Sequence, residues 1–162
     1  MHSIKPSNVC AQLHIYFINL LHQVSEACLY ESLSKTCSDE GLQLLDFSST
    51  ESVYVTSDSG DSSSAPFYHV FVAYNESEQD AISAGDLAGK LDSSLRESHP
   101  VYESYRAKGS IGGPTVTRLR EEDFARLRSV VKEESGASEN QFKMPRVLRK
   151  EAYVKVLQDF IH

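Results

Sequence analysis

Phe67-Tyr-His-Val-Phe-Val-Ala-Tyr74 (FYHVFVAY) is the stretch on which the fold turns. Eight consecutive residues, nearly all aromatic or β-branched, with no polar alternation, describe a strand buried on both faces, the kind that sits near the centre of a sheet. Pro66 stands immediately before it. Upstream, Ser57–Ser64 (SDSGDSSS) contains no apolar residue and reads as a solvated hairpin loop, not a domain boundary. Before that loop, Leu42, Leu44, Leu45, Phe47 and Val53-Tyr54-Val55 form one interrupted strand or two short ones. Further back, Ser25 is a helix N-cap candidate with Glu26 in the first turn. Leu29, Leu33 and Cys37 recur every four residues, so a helix is expected from about 25 to 36, with Gly41 closing it.

Downstream of the strand, Leu87, Leu91 and Leu95 with Ala84 and Ala88 make one helical stripe that ends at His99-Pro100. A shorter helix carrying Tyr102 and Tyr105 follows. Gly109–Pro114 (GSIGGP) is a turn requiring positive φ at Gly112 or Gly113, and Thr115–Arg120 (TVTRLR) alternates as a half-exposed strand does. Glu121, Glu122 and Asp123 then load a helix start with charge that suits its dipole, Phe124, Leu127, Val130 and Val131 give it an apolar face, and Gly136 stops it. Pro145 prevents Asn140–Arg149 from being one regular element, and Tyr153, Val156, Leu157 and Phe160 form the face of a last helix. The order implies an α+β fold of the α/β sandwich kind: a small mixed sheet covered by amphipathic helices.

A chain of 162 residues, 40% hydrophobic and 24% charged, is one ordinary globular domain that can bury a core without disulfides or a structural metal. The longest apolar run, Leu13–Leu21, is broken by His14 and Asn19 and falls short of the ~20 residues that cross a bilayer. The start lacks the pattern of a secretory signal, so a cytoplasmic location is the expectation. Cys10, Cys28 and Cys37 are odd in number and widely spaced, as reduced structural thiols are. Net charge is −7 but unevenly spread. Residues 1–100 hold 4 Lys and Arg against 14 Asp and Glu, and residues 101–162 hold 12 against 9, so the chain runs from −10 to +3. An acidic chain without a basic stripe interleaved with aromatics excludes general nucleic-acid binding, yet the basic third suits a phosphate or an acidic partner surface.

The six histidines show no i,i+4 pairing and no cysteine or carboxylate at ligand spacing, so no metal site is expected. His69, inside the best strand, reads as a hydrogen-bonded core or edge histidine and not as a base. GSIGGP lacks the Gly-Lys-Ser/Thr ending of a phosphate loop and precedes a strand instead of a helix. Lys143 and Arg146 lie in a proline-containing loop between helices that holds them outward and lets them move together. Such a lysine can stabilise charge developing on a phosphoryl group if another surface holds the nucleotide; the plain alternative is a solvated basic loop.

Several stretches together carry a resemblance. Gly136-Ala137-Ser138 followed by Asn140-Gln141-Phe142-Lys143-Met144-Pro145-Arg146 resembles the Asn-Gln-Tyr-Lys-Thr-Pro-Arg stretch near the C-terminus of the Gretchen Hagen (auxin-responsive promoter) family of acyl-acid amido synthetases. Val24-Ser25-Glu26 with Leu29-Tyr30 is similar to the start of that family's C-terminal domain, Phe67–Tyr74 to its His-Tyr strand, and Ser110-Ile111-Gly112 to its Ser-Ile-Gly-Pro turn. Met144–Arg149 looks closest to vertebrate members. The likeness runs from about Val24 to His162, in one order.

The resemblance implies a fold like the C-terminal domain of adenylate-forming enzymes and an ATP- and magnesium-dependent ligase reaction joining a small carboxylic acid to an amino acid. It further implies that a large domain, in cis, holds nucleotide and acid while the small one swings as a lid. Carried over, Lys143 is the catalytic candidate that reaches the adenylate. Arg146 orients the loop or meets the large domain, and Gln141, Ser110 and Gly112 are loop and interdomain positions. Two departures shape the expectation. Nothing in the chain corresponds to the large domain, so the isolated chain is expected to be inactive and without cofactor. His22-Gln23 stand where plant members carry an acidic-x-Lys element, and Gln23 cannot supply that charge. Residues 1–22 form a divergent segment and residues 23–162 the domain. The alternative function is a non-catalytic interaction module derived from the enzyme, with its basic end on an acidic partner.

Overall fold

The computed structural model describes residues 24–55, 65–75, 82–136, 138 and 141–160. The divergent segment 1–22 and the loop 57–64 lie outside them. The described chain forms a four-stranded mixed sheet with two helical layers. In chain order these are α1 (Glu26–Asp39), β1 (Gln43–Glu51), a 3-10 turn (Ser52–Tyr54), β2 (Tyr68–Asn75), α2 (Ala84–Ser98), α3 (Pro100–Ala107), β3 (Thr115–Arg118), α4 (Glu121–Ser135), β4 (Val147–Leu148) and α5 (Glu151–Gln158). The sheet order is β3-β2-β1-β4. β1 and β2 pair antiparallel, as a hairpin reading of their connection requires, whereas β3 runs parallel to β2 and β4 parallel to β1.

β2 is one of the two inner strands and is buried on both sides. Tyr68, Val70, Val72 and Tyr74 join Leu29, Leu33, Leu87, Leu91 and Leu95 in the core beneath α1, α2 and α3. Phe71 and Ala73 turn to the other face and meet Phe124, Leu127, Val154 and Leu157 of α4 and α5. This is the period-two alternation of a strand, with an apolar layer waiting on each side. Each fully buried leucine or valine stabilises the fold by roughly 1.5–3 kcal/mol relative to exposure.

Helix ends follow local chemistry. Ser25 Oγ accepts the Cys28 N–H at 3.1 Å and Ser83 Oγ the Asp86 N–H at 3.0 Å, each satisfying an orphan donor of a first turn. His99 caps α3 through Nδ1, which accepts the Tyr102 N–H at 3.1 Å, with Pro100 at the first helical position. Gly136 closes α4 at φ 62°.

Four expectations are corrected. α1 extends to Asp39 rather than 36. Val53-Tyr54-Val55 is not strand: β1 is a single strand ending at Glu51, and the chain curls into the 3-10 turn. The ladder to β2 stops at Glu51↔Tyr68, and Pro66 has no N–H to extend it, so Tyr54 and Val55, without a partner strand, pack instead against the α4/α5 core while Val53 is exposed. Positive φ in the GSIGGP turn belongs to Gly109 (φ 69°), not to Gly112 or Gly113. A Cβ at Gly112 would meet Phe67 Cβ at 3.4 Å, an ordinary contact, and one at Gly113 would press more closely on Arg106 Nη2, at 3.2 Å. Finally, Val147-Leu148 form a fourth strand, held at the open edge of β1.

Candidate functional site

The sequence-derived candidates fall at two edges of the sheet. Ser110 and Gly112 precede β3, beyond the end of the sheet where β2 begins: the Gly112 N–H donates to Pro66 O at 2.8 Å. Gln141, Lys143 and Arg146 precede β4, which runs with β1, so their loop approaches from the opposite end and the opposite edge. Three interstrand spacings, about 14 Å, separate the outer strands. The structure therefore does not bring Ser110 or Gly112 together with Lys143.

The turn at Ser110–Gly112 is held from beneath. Arg106 on α3 grips Asp92 on α2 with two bonds, Nε–Oδ1 at 2.9 Å and Nη2–Oδ2 at 2.8 Å. Its Nη1 donates to Ile111 O at 3.1 Å. Tyr102 donates to the same Asp92 Oδ1 at 2.6 Å. Burial alone pushes the Asp92 carboxyl up, but the bonds from Arg106 and Tyr102 outweigh it and hold the group below its ordinary value. Burial and the bond to Asp92 together raise the Tyr102 hydroxyl far above its ordinary value. This cluster anchors a turn and offers no free nucleophile.

The loop before β4 is built differently. Its root is stitched to β1 by side-chain hydroxyls: Ser48 Oγ donates to Pro145 O at 2.9 Å, Ser49 Oγ to Arg146 O at 3.1 Å and Thr50 Oγ1 to Leu148 O at 2.8 Å. The Ser49 N–H adds a ladder bond to Arg146 O at 2.7 Å. Farther out, Phe142 and Met144 both pack on the α4/α5 core, so Lys143 between them is turned outward and exposed. Among the described residues no carboxylate pairs with Lys143. Gln141 is exposed, one turn beyond Ser138, whose carbonyl accepts its N–H at 3.0 Å.

Arg146 departs from the expectation that it moves outward with Lys143. Its side chain turns back onto β1, where Nη1 donates to Asp46 Oδ1 and, at 2.7 Å, to Phe47 O. The guanidinium lies over the Phe47 ring, 4.9 Å from its centroid, and Tyr30 stacks on the same ring at 5.9 Å. Tyr30, Phe47, Asp46 and Arg146 line a groove of about 580 Å³ between α1 and the start of β1. Asp46 and this groove were missed from sequence because Asp46 lies 100 residues from Arg146, and no local spacing connects them.

His69 has the placement expected of it. It is buried, Nδ1 lies 2.6 Å from Thr115 Oγ1 and Nε2 3.0 Å from Thr117 Oγ1, so both ring nitrogens are engaged by β3 hydroxyls. Burial lowers its pKa to about 4. Cys37 is likewise buried, and desolvation pushes its thiol up to about 11. Among the described residues no group of three His, Cys, Asp or Glu converges as metal ligands, and no helix is long and apolar enough to cross a membrane.

A mixed four-stranded sheet between two helical layers, with an outward lysine on an edge loop, defines a small α+β domain. Residues 28–152 match the GH3 family C-terminal domain, and the chain belongs to that family. The human GH3 domain-containing protein is 33% identical over 143 residues, covering 84% of this chain and 24% of that protein. The same fold occurs in the solved structure of AtGH3.15 acyl acid amido synthetase in complex with 2,4-DB (TM-score 0.63, 23% identity, 82% of this chain and 23% of that one). It recurs in GH3.15 acyl acid amido synthetase (TM-score 0.62, 20% identity, 82% and 24%). The chain spans about a quarter of the length of these relatives.

Proposed function

We propose that this chain is the lid domain of an ATP-dependent, adenylate-forming acid–amino acid ligase, with Lys143 as its contribution to the reaction. The observation that carries the reading is the presentation of Lys143. It is an exposed ammonium without a carboxylate partner among the described residues, fixed outward by Phe142 and Met144 on a loop stitched to β1.

In the reaction, an oxygen of the acid's carboxylate attacks the α-phosphorus of ATP and pyrophosphate leaves; the amino acid's amine then attacks the acyl carbon and AMP leaves. The substrates are a small carboxylic acid and an amino acid, and the nucleotide site belongs to a large domain in cis. Magnesium is likewise assigned there, with the ATP phosphates it binds. Lys143 fits a phosphoryl oxygen, because an ammonium with no ion pair among the described residues has none of those to break before stabilising charge that develops elsewhere. A lid that supplies this cation on closing also excludes water from an activated acyl group.

The test uses a two-domain homologue carrying this domain. Lys143→Ala slows ATP–pyrophosphate exchange by well over tenfold, as loss of ~2–4 kcal/mol of electrostatic stabilisation does. An unchanged exchange rate removes Lys143 from the mechanism.

A further inference from the structure

We propose that Asp46 is a positioning residue for Lys143: one buried carboxylate on β1, bound by two arginines from two other elements, fixes the root of the loop that presents the lysine. The inference rests on the reading of Lys143 given above, but its structural half is separately testable.

The argument begins in the strand. β1 pairs Leu44 with Tyr74 and Asp46 with Ala73, so Leu45 is the extra residue of a β-bulge. Without the bulge, strict alternation would put Asp46 on the α1 side of the sheet with Leu44. With it, Leu45 and Asp46 both face the α4/α5 side, where Ala73 and Leu45 contribute to the core, and Phe47 returns to the α1 side. The bulge therefore aims a carboxylate at α4 and the β4 edge.

Asp46 is 8% exposed, and a carboxylate so buried needs partners. It has three. Its Oδ1 accepts from the Phe47 N–H at 2.9 Å and from Arg146 Nη1, and its Oδ2 lies 3.7 Å from Arg128 Nη2 on α4. Arg146 is thus tied to β1 by a carboxylate, by the Phe47 carbonyl and by the Phe47 ring, and Lys143 is only three residues away along the chain. Neutralising Asp46 leaves two arginines competing for water instead of holding α4 and the loop to the same point on the sheet.

The first measurement is amide hydrogen exchange on the 162-residue chain. In Asp46→Asn the amides of Ser49, whose N–H donates to Arg146 O, and of Phe142, whose N–H donates to Ser138 O, exchange at least tenfold faster, those of Val70–Ala73 keep their rates, and Asp46→Glu restores part of the protection. Unchanged rates at Ser49 and Phe142, or equal acceleration in β2, overturn the assignment. Arg146→Lys, which keeps the charge but gives up the planar guanidinium that lies over Phe47, supplies the same comparison if Asp46→Asn does not fold.

The second measurement is pyrophosphate exchange in the two-domain homologue. Asp46→Asn lowers kcat with KM for the acid unchanged, and combined with Lys143→Ala it is no slower than Lys143→Ala alone. Multiplying losses overturn the claim that Asp46 acts through Lys143. If Lys143→Ala has no effect while exchange at Ser49 and Phe142 responds to Asp46→Asn, the functional reading fails and the structural clamp stands.

Discussion

His69 shows how a polar residue enters a strand that is otherwise apolar. Its ring is pressed edge-on against Phe71 at 4.6 Å, and both nitrogens meet threonine hydroxyls of β3, so the neutral imidazole is fully satisfied while the charged form is denied water. Its folded pKa of about 4 lies below the unfolded value of 6.5, so the unfolded state binds the proton first as the pH falls. The contribution of neutral His69 is complete above pH 6.5 and is lost as the pH drops toward 4. Urea unfolding of the wild type and His69→Gln from pH 7 to pH 4 measures it. The stability difference between them shifts by up to about 3 kcal/mol against the wild type over that window. A difference that stays flat with pH contradicts the buried neutral state. Lys143 and Arg146 make the opposite lesson at this scale. They are three residues apart and look alike in sequence, yet one is turned to solvent by apolar neighbours on each side and the other is drawn onto β1 by a carboxylate 100 positions earlier.

At the scale of elements, the α2–α3 corner depends on one charged cluster. Asp92 is 14% exposed at its side chain and bound by Arg106 and Tyr102, and Arg106 also holds Ile111 O, which fixes the turn that leads into β3. Arg106→Met leaves a buried carboxylate with a single hydroxyl partner and costs about 3 kcal/mol at pH 7, read by urea unfolding. Because Asp92 is held below its ordinary pKa, the wild type loses this contribution as the pH falls through the carboxylate range. In the variant Asp92 is left mainly with the burial that raises it, so it protonates early, and the gap between the two proteins closes toward pH 3. A variant within 0.5 kcal/mol of wild type at pH 7 contradicts this.

The elements that were legible in sequence are those whose signals are local. α1 announces itself by its Ser25 cap and four-residue apolar spacing, α2 by its leucine stripe, α4 by an acidic first turn and a closing glycine, and β2 by an unbroken apolar run. The elements that were not legible depend on a distant partner. Val53-Tyr54-Val55 has strand composition but no strand to pair with beyond Tyr68, and Val147-Leu148 is too short to show a period yet pairs because β1 presents a free edge and three hydroxyls. The outward placing of Lys143 was written locally, as an apolar residue on each side of it. The inward turn of Arg146 was not.

The described fold is two cores on opposite faces of one sheet, and β2 contributes fully buried side chains to both. Val70 and Val72 belong to the α1–α3 layer, and Phe71 and Ala73, their neighbours in the chain, to the α4/α5 layer. β2 cannot leave one layer while remaining ordered in the other, since releasing it removes buried side chains from both at alternate positions. The β1 edge reinforces the link, because Asp46 ties Arg128 of α4 to the loop that enters β4. Cooperative unfolding of the two layers follows. Leu91→Ala in the first layer and Leu127→Ala in the second both empty fully buried sites, and each costs about 2–5 kcal/mol. Methyl resonances of Leu33 and Val154, one from each core, report on the layers separately during urea titration. In the wild type and in both variants the two resonances lose intensity at a common midpoint, and that midpoint moves down together whichever layer carries the cavity. Separate midpoints, with only the mutated layer shifted, would mean that the α4/α5 layer and its Lys143 loop can come away while the rest stays folded, and the domain would then present its lysine from a detachable edge instead of a rigid body.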